Sequence, residues 1–471
     1  MSVKENIDTV SMLQNAIESR DGKRYKLLAV GLAQAISEHR FDNTDGKLPP
    51  HRVLADALNV TTGTVGKAYN ELEKLGIVVA RVGAGTYVTT KEQIAKTDVH
   101  FKHVADDTID YFDISRNINI PKAEQQIAAS TLLDIAGNME TLANIDRYAP
   151  DKGAEKHRRA GASWLETDVF KPDWQNVICT NGGQHGLLCA LLGLFKSGDT
   201  IATEQLTYPG LISLSKMLGI KLVPVAMDRE GLIPESLDDV CNTHKIAGLY
   251  CMPSVQNPTN ADMPNKRRKQ VSDLCKKHNL LVLDDVSHVV STNSNSKPLI
   301  EYSQDNTVMI SSTGKALSSG LRVGYLYAPP QLQTRLSNSL RSTCWMATPL
   351  TQELAASWIN SGKAAQIIEN QLHEMRRRIS LVEPLLAGLD YYTHPVSPHF
   401  WMDVPEPWRA SEIESELKQH DVLVSTAEKF TVGRKYTPQF IRASVSTLTQ
   451  NDARLIEAFK AIAGVLKDKT L

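Results

Sequence analysis

The sequence lacks long apolar runs and a secretory leader. No stretch reaches about 18 consecutive apolar residues, the length that crosses a bilayer as a helix. The N-terminal stretch MSVKENIDTVSMLQ has no basic region followed by an apolar core. These absences argue against a membrane-spanning or secreted protein, so we expect a cytoplasmic location and no membrane partner.

Paired cysteines and an excess of charge are also absent. The cysteines are scattered, mostly in apolar segments, without the CxxC spacing of a metal site: Cys179, Cys189, Cys241, Cys251, Cys275 and Cys344. We expect all six to be reduced and buried, and we expect no metal site. With 52 Lys and Arg residues against 53 Asp and Glu residues, the net charge is −1. No global field therefore draws the chain onto nucleic acid or an anionic membrane, and any such contact must be local.

The chain is long and has an ordinary globular composition. Its 471 residues are 42% hydrophobic and 22% charged, which is typical of folded soluble proteins and not of disordered ones. Because this length exceeds that of one typical domain, we expect two or three folding units with sizeable cores.

The first ninety residues predict a helix, a helix-turn-helix and a hairpin in that order. RYKLLAVGLAQAISEHR, from Arg24, has near-helical apolar spacing. HRVLADALNV and TTGTVGKAYNELEKLG predict two helices around a turn at Asn59 and Val60, the second capped by Thr61 or Thr62. IVVARVGAGTYV alternates around a Gly-Ala-Gly turn, as hairpins do. Two helices around a short turn are also common in all-α packing, but the three pieces together indicate a winged helix-turn-helix.

Contacts of this block with DNA phosphates must rest on a few placed cations. Residues 1–90 carry 11 Lys and Arg residues and 10 Asp and Glu residues, a balance of only +1. The cations at the exposed junctions of the motif are Arg52, Lys67 and Arg81. We expect these three to bind the phosphates.

The second helix of the pair is expected to enter the major groove with its first turn. That turn holds only short side chains: Thr61, Thr62, Gly63 and Thr64. Glycine weakens a helix by about 1 kcal/mol relative to alanine. Close approach of the backbone to DNA and a frayed helix start both explain Gly63, and the sequence does not separate them.

The sequence pattern changes after a polar stretch that follows the first ninety residues. Residues 91–110 are weakly patterned, which is typical of a linker between residues 1–90 and a second domain at 111–471. From about residue 177, short β-branched runs such as VICT, TIATE and TVMIS alternate with helical segments. This alternation predicts an α/β fold with a mainly parallel sheet covered on both faces. Ligands of such sheets bind beyond the carboxyl ends of the strands.

Unusual polar residues cluster at those strand ends. TNGGQ, residues 180–184, follows a strand and opens a helix, where backbone N–H groups can hold a phosphate. Asp284 ends the run LLVL, and a buried carboxylate there needs a cationic partner. Lys315 is an amine that can form a Schiff base with an aldehyde, while Ser312 and Arg322 can share that ligand's phosphate.

Each of these features alone has an ordinary structural explanation. A glycine pair is often a tight turn, a strand-end aspartate is often a helix cap or an ion pair, and a loop lysine is usually solvated. The combination of aldehyde-reactive amine, buried carboxylate, phosphate-binding arginine and glycine-rich helix start indicates one ligand, pyridoxal 5′-phosphate (PLP).

Two resemblances to known families are carried by these motifs. Residues 25–88, through LPPHRVLADAL, TVGKAYNELE and RVGAGTYV, resemble the GntR-type winged-helix DNA-binding domain. Residues from about 113 onward, through SSTGKALSSGLRVGY, QNPTN, EQLTYPG and FIRASVS, resemble the class I/II aminotransferases of fold type I. Joined, the two look like a MocR-type regulator of the GntR superfamily. The resemblance implies a large doubly wound domain, a small α+β domain at about 345–471, PLP as cofactor and a homodimer.

The resemblance also implies roles for the matching residues. Lys315 would form the internal aldimine, a Schiff base, with PLP. Asp284 would pair with the pyridine nitrogen, Asn257 would hydrogen-bond the ring oxygen, and Tyr208 would stack on the ring. The phosphate would be held by Gly183, Gln184, Ser312 and Arg322.

Two further roles reach beyond one cofactor in one subunit. Tyr148, in RYAPDKG, would contact the phosphate from the second subunit of the dimer. Arg442 matches the arginine that grips a substrate carboxylate, a bidentate task that suits guanidinium. A surface salt bridge is the ordinary alternative for Arg442, and its strand-like surroundings favour the binding role.

The sequence departs from the aminotransferase pattern at four places. Ser287 stands where the enzymes have a tyrosine three residues beyond the strand-end aspartate, so a contact with the ring oxygen is shortened or lost. Ser-Thr-Gly-Lys at 312–315 replaces Ser-x-Ser-Lys, a Gly-Gly pair is absent at Pro398 and His399, and STAEKF at 425–430 replaces a Pro-Gly step. These differences argue against efficient transamination, whereas the lysine is retained.

We therefore expect a PLP-dependent, DNA-binding transcriptional regulator that senses an amino acid, another amine or PLP itself through an aldimine at Lys315. The alternative is a PLP-dependent aminotransferase with an accessory DNA-binding domain. A third hypothesis, a cofactor-free domain that serves only dimerisation, is disfavoured because Lys315, Asp284, Asn257 and Arg322 are all present.

Overall fold

The computed structural model describes residues 3–18, 23–38, 47–74, 77–81, 85–88, 111–120, 124–287, 296–433, 437–447 and 451–468. The chain divides into two compact units, Met1–Val99 and His100–Leu471. The linker predicted at 91–110 lies outside the described residues, as do residues 82–84 of the predicted hairpin turn.

The first unit has helices followed by a hairpin. Its described elements are α1 (Val3–Glu18), α2 (Arg24–Ser37), α3 (His51–Ala57), α4 (Thr62–Lys74), β1 (Val78–Arg81) and β2 (Gly85–Val88). The two strands pair antiparallel, Val78 opposite Val88. The predicted apolar stripes of α2 and α4 meet in one core, where Leu32 and Leu72 are fully buried. Helix α1 is an addition to the predicted elements, and its Leu13 joins the same core.

The second unit opens with a short strand and continues as a large α/β layer. Its helices up to residue 344 are α5 (Glu124–Ala136), α6 (Met139–Ile145), α7 (Glu155–Leu165), α8 (Gly183–Leu194), α9 (Pro209–Leu218), α10 (Pro234–Thr243), α11 (Asn265–Lys277) and α12 (Pro330–Cys344). Its strands are β3 (Phe112–Asp113), β4 (Val177–Thr180), β5 (Thr200–Glu204), β6 (Lys221–Val225), β7 (Met227–Asp228), β8 (Gly231–Leu232), β9 (Gly248–Cys251), β10 (Leu281–Asp285), β11 (Thr307–Ser312) and β12 (Gly324–Tyr327).

One sheet organises this layer. Its seven strands lie in the order β4-β12-β11-β10-β9-β5-β6. Only β12 runs antiparallel to its neighbours, which confirms the predicted mainly parallel sheet. Successive side chains along a strand point to opposite faces of the sheet. Cys179 of β4, for example, packs in one core and Ile178 in another. Because β4, β5, β9, β10 and β11 run in the same direction, their carboxyl ends lie at the same edge of the sheet.

The remaining elements form a smaller α+β layer. Its helices are α13 (Pro349–Asn360), α14 (Lys363–Val382), α15 (Ala410–Gln419) and α16 (Asp452–Asp468). Its strands are β13 (Tyr391–Tyr392), β14 (His399–Asp403), β15 (Val422–Leu423), β16 (Ser425–Thr426) and β17 (Phe440–Ser444). A four-stranded sheet runs β13-β14-β17-β16, and β15 pairs in parallel with β3. Through β3, the residues that follow the predicted linker are attached to this smaller layer.

The cysteines correct one prediction. All six are free, and Cys179, Cys189, Cys251 and Cys275 are buried. Cys241 is half-buried and Cys344 is exposed, so the predicted burial is wrong for these two. Cys344 is the last residue of α12, where the chain leaves the core. Across the described ranges, no helix is long and apolar enough to cross a membrane.

Candidate cofactor and DNA sites

Lys315 lies in the turn that follows β11. The turn is fixed by backbone hydrogen bonds from Thr313 N to Val323 O at 3.1 Å and from Leu317 N to Thr313 O at 2.8 Å. The amine Nζ donates a hydrogen bond to the backbone carbonyl of Asn117. Burial, and then the positive charges of Arg442, Arg322 and Arg116, together lower the pKa of Lys315 to about 8. A larger fraction of Lys315 is therefore in the neutral, nucleophilic form near physiological pH than for a lysine in solvent.

Asp284 is fully buried in the fourth position of β10. Its Oδ2 accepts a hydrogen bond from Leu299 N at 2.8 Å, whereas Oδ1 is buried with no hydrogen-bond partner among the described residues. Burial raises the pKa of Asp284 to about 6, while Arg268 and the Leu299 hydrogen bond act in the opposite direction. A buried carboxylate oxygen without a partner is costly, and a protonated ring nitrogen would satisfy it.

Asp285 is a second buried carboxylate that the sequence analysis did not single out. Its Oδ2 accepts a hydrogen bond from Tyr250 Oη at 2.6 Å and its Oδ1 accepts one from Ser287 N at 2.9 Å. Burial and then the charge of Asp285 raise the pKa of Tyr208 to about 12. Because adjacent strand residues face opposite sides, the pair of aspartates places one carboxylate on each face of the sheet, with Asp285 near Tyr208 and Asp284 near Arg268. The doubled aspartate in VLDDV was the signal available in the sequence.

A glycine-rich turn forms a tight cradle at the start of α8. Gly182 has a φ of 89°, and a Cβ there would lie 2.8 Å from Nη2 of Arg322. A Cβ on Gly183 would lie 2.8 Å from Oγ of Ser287 and 3.1 Å from Cβ of Ser312. The structure thus brings together residues that follow β10, end β11 and precede β12 around the N-terminus of α8, where the helix dipole favours an anion.

Two more predicted residues adjoin this cradle. Tyr208 precedes α9, and a side chain at Gly210 would clash with both the Tyr208 ring and Oε1 of Gln184. Within the described part of the chain, Oε1 of Gln184 and Oγ of Ser287 are buried without a hydrogen-bond partner. Oε1 of Gln184 is therefore available to a ligand. Ser287 lies beside Gly183, at the cradle.

Arg442 lies on β17 of the smaller layer and is buried. Its Nη1 donates to Oδ1 of Asn257 at 2.6 Å and its Nη2 donates to the backbone carbonyl of Ser115 at 2.5 Å. The guanidinium lies over the Phe430 ring, 4.9 Å from the centroid. Burial lowers the pKa of Arg442 to about 10. In the described ranges no carboxylate lies within ion-pair distance of it, so it is a buried cation suited to a ligand carboxylate.

Tyr148 is the predicted residue that stands apart from the others. It is 80% exposed, and its ring contacts Trp345, with 5.9 Å between centroids. Trp345 is itself 57% exposed. A role for Tyr148 in the cofactor site of a second subunit therefore stays a prediction.

The residues present fit PLP at this edge of the sheet. The groups that would hold it are the strand-end carboxylates of Asp284 and Asp285, the amine of Lys315, and the cradle of Gly183, Ser312 and Arg322 for a phosphate. When bound, PLP supplies an aldehyde for an amine and an electron-withdrawing ring.

Most of the predicted DNA contacts lie on α3 and around the start of α4. Arg52, Thr61, Thr62, Gly63 and Lys67 are exposed, and Thr64 is half-buried. Thr61 Oγ1 accepts a hydrogen bond from Thr64 N at 3.1 Å, so Thr61 is the residue that caps α4. The opposite side of α4 buries Val65 and Tyr69 in the core. Arg81 is the last residue of β1, and its side chain lies outside the described part of the structure.

Comparison with known proteins places both units in families. Residues 111–459 match the model of "aminotransferase class I and II", and residues 25–88 match that of "bacterial regulatory proteins, gntR family". The "uncharacterized HTH-type transcriptional regulator YdeF" of Bacillus subtilis is 29% identical over 91% of this chain and 92% of its own length. The similarly described YjiR of Escherichia coli is 23% identical over 88% of this chain and 93% of its own length.

Solved structures agree at the level of the fold. A kynurenine aminotransferase of Pyrococcus horikoshii superimposes with a TM-score of 0.70 at 18% identity, over 81% of this chain and 94% of its own length. The aminotransferase fold implies PLP as the cofactor. The chain belongs to the aminotransferase class I and II family and carries a gntR-family domain before it, the MocR-type architecture of a transcription regulator with an aminotransferase-like domain.

Proposed function

We propose that this chain is a DNA-binding transcription regulator that holds PLP on Lys315 and senses an amino acid, another amine or PLP itself. In this proposal Asp284 binds the ring nitrogen, Asn257 the ring oxygen, and the cradle at Gly183 the phosphate. Arg442 binds the carboxylate of an amino-acid effector. A protein in this role must reach DNA, so the proposal places it in the cytoplasm.

One observation carries the proposal: the half-buried amine of Lys315 and the buried guanidinium of Arg442 lie close enough that the charge of Arg442 lowers the pKa of Lys315. Neither has a carboxylate within ion-pair distance in the described ranges, and keeping such charges together is costly. PLP would take up the Lys315 amine in a Schiff base with loss of water, and the carboxylate of an amino acid would neutralise Arg442. The cofactor and the effector would therefore each relieve one of the two charges.

Sensing is favoured over turnover by the position of Ser287. Its Oγ lies at the phosphate cradle, 2.8 Å from where a Cβ on Gly183 would be. It replaces the tyrosine that, by the resemblance, would reach the ring oxygen. The chain thus keeps the groups that bind a cofactor and lacks one that would assist proton transfer at the ring.

The first experiment measures absorbance on addition of PLP to the purified full chain. We expect a visible band that Lys315→Ala abolishes and that Ser339→Ala, a buried change on α12, leaves in place. Absence of any band with the unaltered protein would remove the proposal. A screen of amino acids for changes in that band would then identify the effector.

The DNA-binding half is tested with DNA selected by the full chain from a random-sequence pool. Arg52→Ala and Lys67→Ala should weaken binding to it, each lowering the salt slope by about 1. Lys26→Ala, an exposed change on α2, is the matched control. Equal affinity of all three variants would contradict the assignment of the phosphate contacts to α3 and α4.

The aminotransferase alternative is tested by turnover, because the fold is that of the enzymes. Many turnovers of an amino acid and a keto acid at rates on the order of 1 per second or faster would favour the enzyme. Formation of a single equivalent of product would favour the sensor.

A further inference from the structure

The first described residues after the predicted linker contact both cations of the site. We call residues 111–120 the reporter segment. Lys315 Nζ donates to the carbonyl of Asn117, and Arg442 Nη2 donates to the carbonyl of Ser115 at 2.5 Å. Both acceptors are backbone atoms, so these hydrogen bonds depend on the path of the segment. Because both donors are charged, they are stronger than neutral hydrogen bonds.

Other anchors of the reporter segment use neutral groups. Ile118 N donates to Oγ of Ser446 at 3.0 Å, and Ile120 N donates to Oε1 of Gln371 at 2.8 Å. These bonds attach the segment to the smaller layer at atoms that a cofactor or an amino acid would not use.

The side chain of Asn117 has an anchor of its own in His399. Nε2 of His399 lies 2.8 Å from the carbonyl oxygen of Pro258. Since a carbonyl only accepts, Nε2 carries the proton in this pair. In the neutral ring, Nδ1 of His399 then accepts from Nδ2 of Asn117 at 2.8 Å. His399 thus links the side chain of Asn117 to Pro258, which follows Asn257. This link does not involve Lys315.

The two charged hydrogen bonds compete with the proposed ligands. A free lysine ammonium has three N–H donors; condensation of the amine with an aldehyde releases one water and leaves the nitrogen at most one proton. At Arg442, Nε has no partner among the described residues, and Nη2, on the same edge, is bonded to Ser115. A carboxylate that binds this edge with both oxygens takes the donor that Ser115 uses.

We infer that the reporter segment is the regulatory element of the site: PLP on Lys315 releases the carbonyl of Asn117, and a carboxylate on Arg442 removes the charged donor from the carbonyl of Ser115, which keeps a hydrogen bond from Ser425 Oγ at 3.0 Å. This inference rests on the proposed function and adds the route by which binding is reported. The segment continues in sequence into the linker that leads to the gntR-family domain. By linkage, a ligand that weakens the attachment of the segment is itself bound more tightly when the segment is released.

Amide hydrogen exchange of residues 111–120 in the cofactor-free full chain tests the Lys315 contact. Lys315→Met removes the donor and should speed exchange at Ile118 and Ile120 by about tenfold, the factor expected for loss of one hydrogen bond to a charged group. Lys315→Arg keeps a donor and should restore protection. Ser339→Ala loses a neutral hydrogen bond to the carbonyl of Cys189 at 2.7 Å, elsewhere in the fold, and should not change exchange in the segment. Equal exchange in Lys315→Met and Lys315→Arg overturns the inference.

Addition of PLP separates this inference from the proposed function. In the unaltered protein PLP should give the visible band and raise exchange in the segment toward the Lys315→Met level, with no change in Lys315→Arg. A band without faster exchange overturns the inference and leaves the proposed function standing. Absence of a band removes the proposed function, while the comparison of Lys315→Met with Lys315→Arg still decides whether Lys315 holds the segment.

Discussion

Burial and neighbouring charges shift the pKa values of single residues in the candidate site. The pKa of Lys315 falls from its ordinary value of 10.5 to about 8, first through burial and then through the arginines around it. Only the neutral amine attacks an aldehyde. The rate of covalent PLP binding should therefore rise with pH through a midpoint near 8, which stopped-flow absorbance from about pH 6 to about pH 10 would measure.

The matched variant for this pH dependence is Arg442→Gln. Arg442 contributes the largest charge effect on the pKa of Lys315, so its removal should shift the midpoint upward. A midpoint above about 10 in the unaltered protein, as for a solvated lysine, would contradict the burial argument. An unmoved midpoint in the variant would contradict the proximity of the two cations.

The buried carboxylate of Asp284 destabilises the cofactor-free fold and is proposed to bind PLP. Burial raises its pKa from 3.8 to about 6, so the folded state favours the protonated acid. That contribution to stability is complete below about pH 4 and is lost as pH rises through about 6. Asp284→Asn should thus raise the unfolding free energy of the cofactor-free protein by up to about 3 kcal/mol at neutral pH, and weaken PLP binding.

Denaturant unfolding at several pH values checks this prediction, since the gain should vanish at acid pH. Asp238→Asn is a control of opposite sign, because hydrogen bonds from His278 and Lys277 lower the pKa of Asp238. A variant Asp284→Asn that is no more stable at neutral pH would show that the buried carboxylate is compensated in the unaltered protein.

At the scale of elements, the sequence pattern predicted helices and strands that have a regular apolar spacing. It missed features that depend on contacts between distant parts of the chain. The run TIATE became β5 residue for residue, because buried parallel strands read as short β-branched runs. The strand-end positions of Asp284 and Lys315 followed from the same pattern. The carbonyls of Ser115 and Asn117 could not be predicted, since a backbone acceptor has no residue signature. Helix α1 was missed because nothing in the sequence shows what it packs against.

The packing of α1 on α2 depends on Gly31, which gives a prediction. A Cβ at Gly31 would lie 3.0 Å from Cβ of Ala16 and 3.1 Å from Cδ2 of Leu13. Gly31→Val should therefore push α1 away and destabilise the first unit by about 1–3 kcal/mol. Faster amide exchange in α1 and α2 would report it. Gly464→Ala on α16, where no atom lies within 4 Å of the new Cβ, should instead stabilise by about 0.5–1 kcal/mol. Unchanged exchange in Gly31→Val would contradict the close approach.

At the scale of the whole molecule, function depends on local features within a nearly neutral chain. A net charge of −1 supplies no general attraction for DNA, so the proposed function assigns binding to α3, α4 and the hairpin. In the same proposal the second unit would contribute a ligand-dependent element, the reporter segment. A regulator built in this way needs a ligand that binds its two arrangements differently, and competition at Lys315 and Arg442 would provide that difference.

Assembly is the last property that the structure makes testable. Tyr148, Trp345 and Met139 are large apolar side chains that are 80%, 57% and 76% exposed, and a second copy of the chain would cover them. Trp345→Asp should convert a dimer into monomers, measured by sedimentation equilibrium. It should also lower the affinity for PLP if the predicted contact between Tyr148 and the phosphate in a second copy exists, because that contact would be lost. Met217→Asp, at a 67% exposed position on α9, is the control and should leave the dimer intact. A Trp345→Asp protein that stays dimeric with unchanged PLP affinity would place the subunit interface elsewhere.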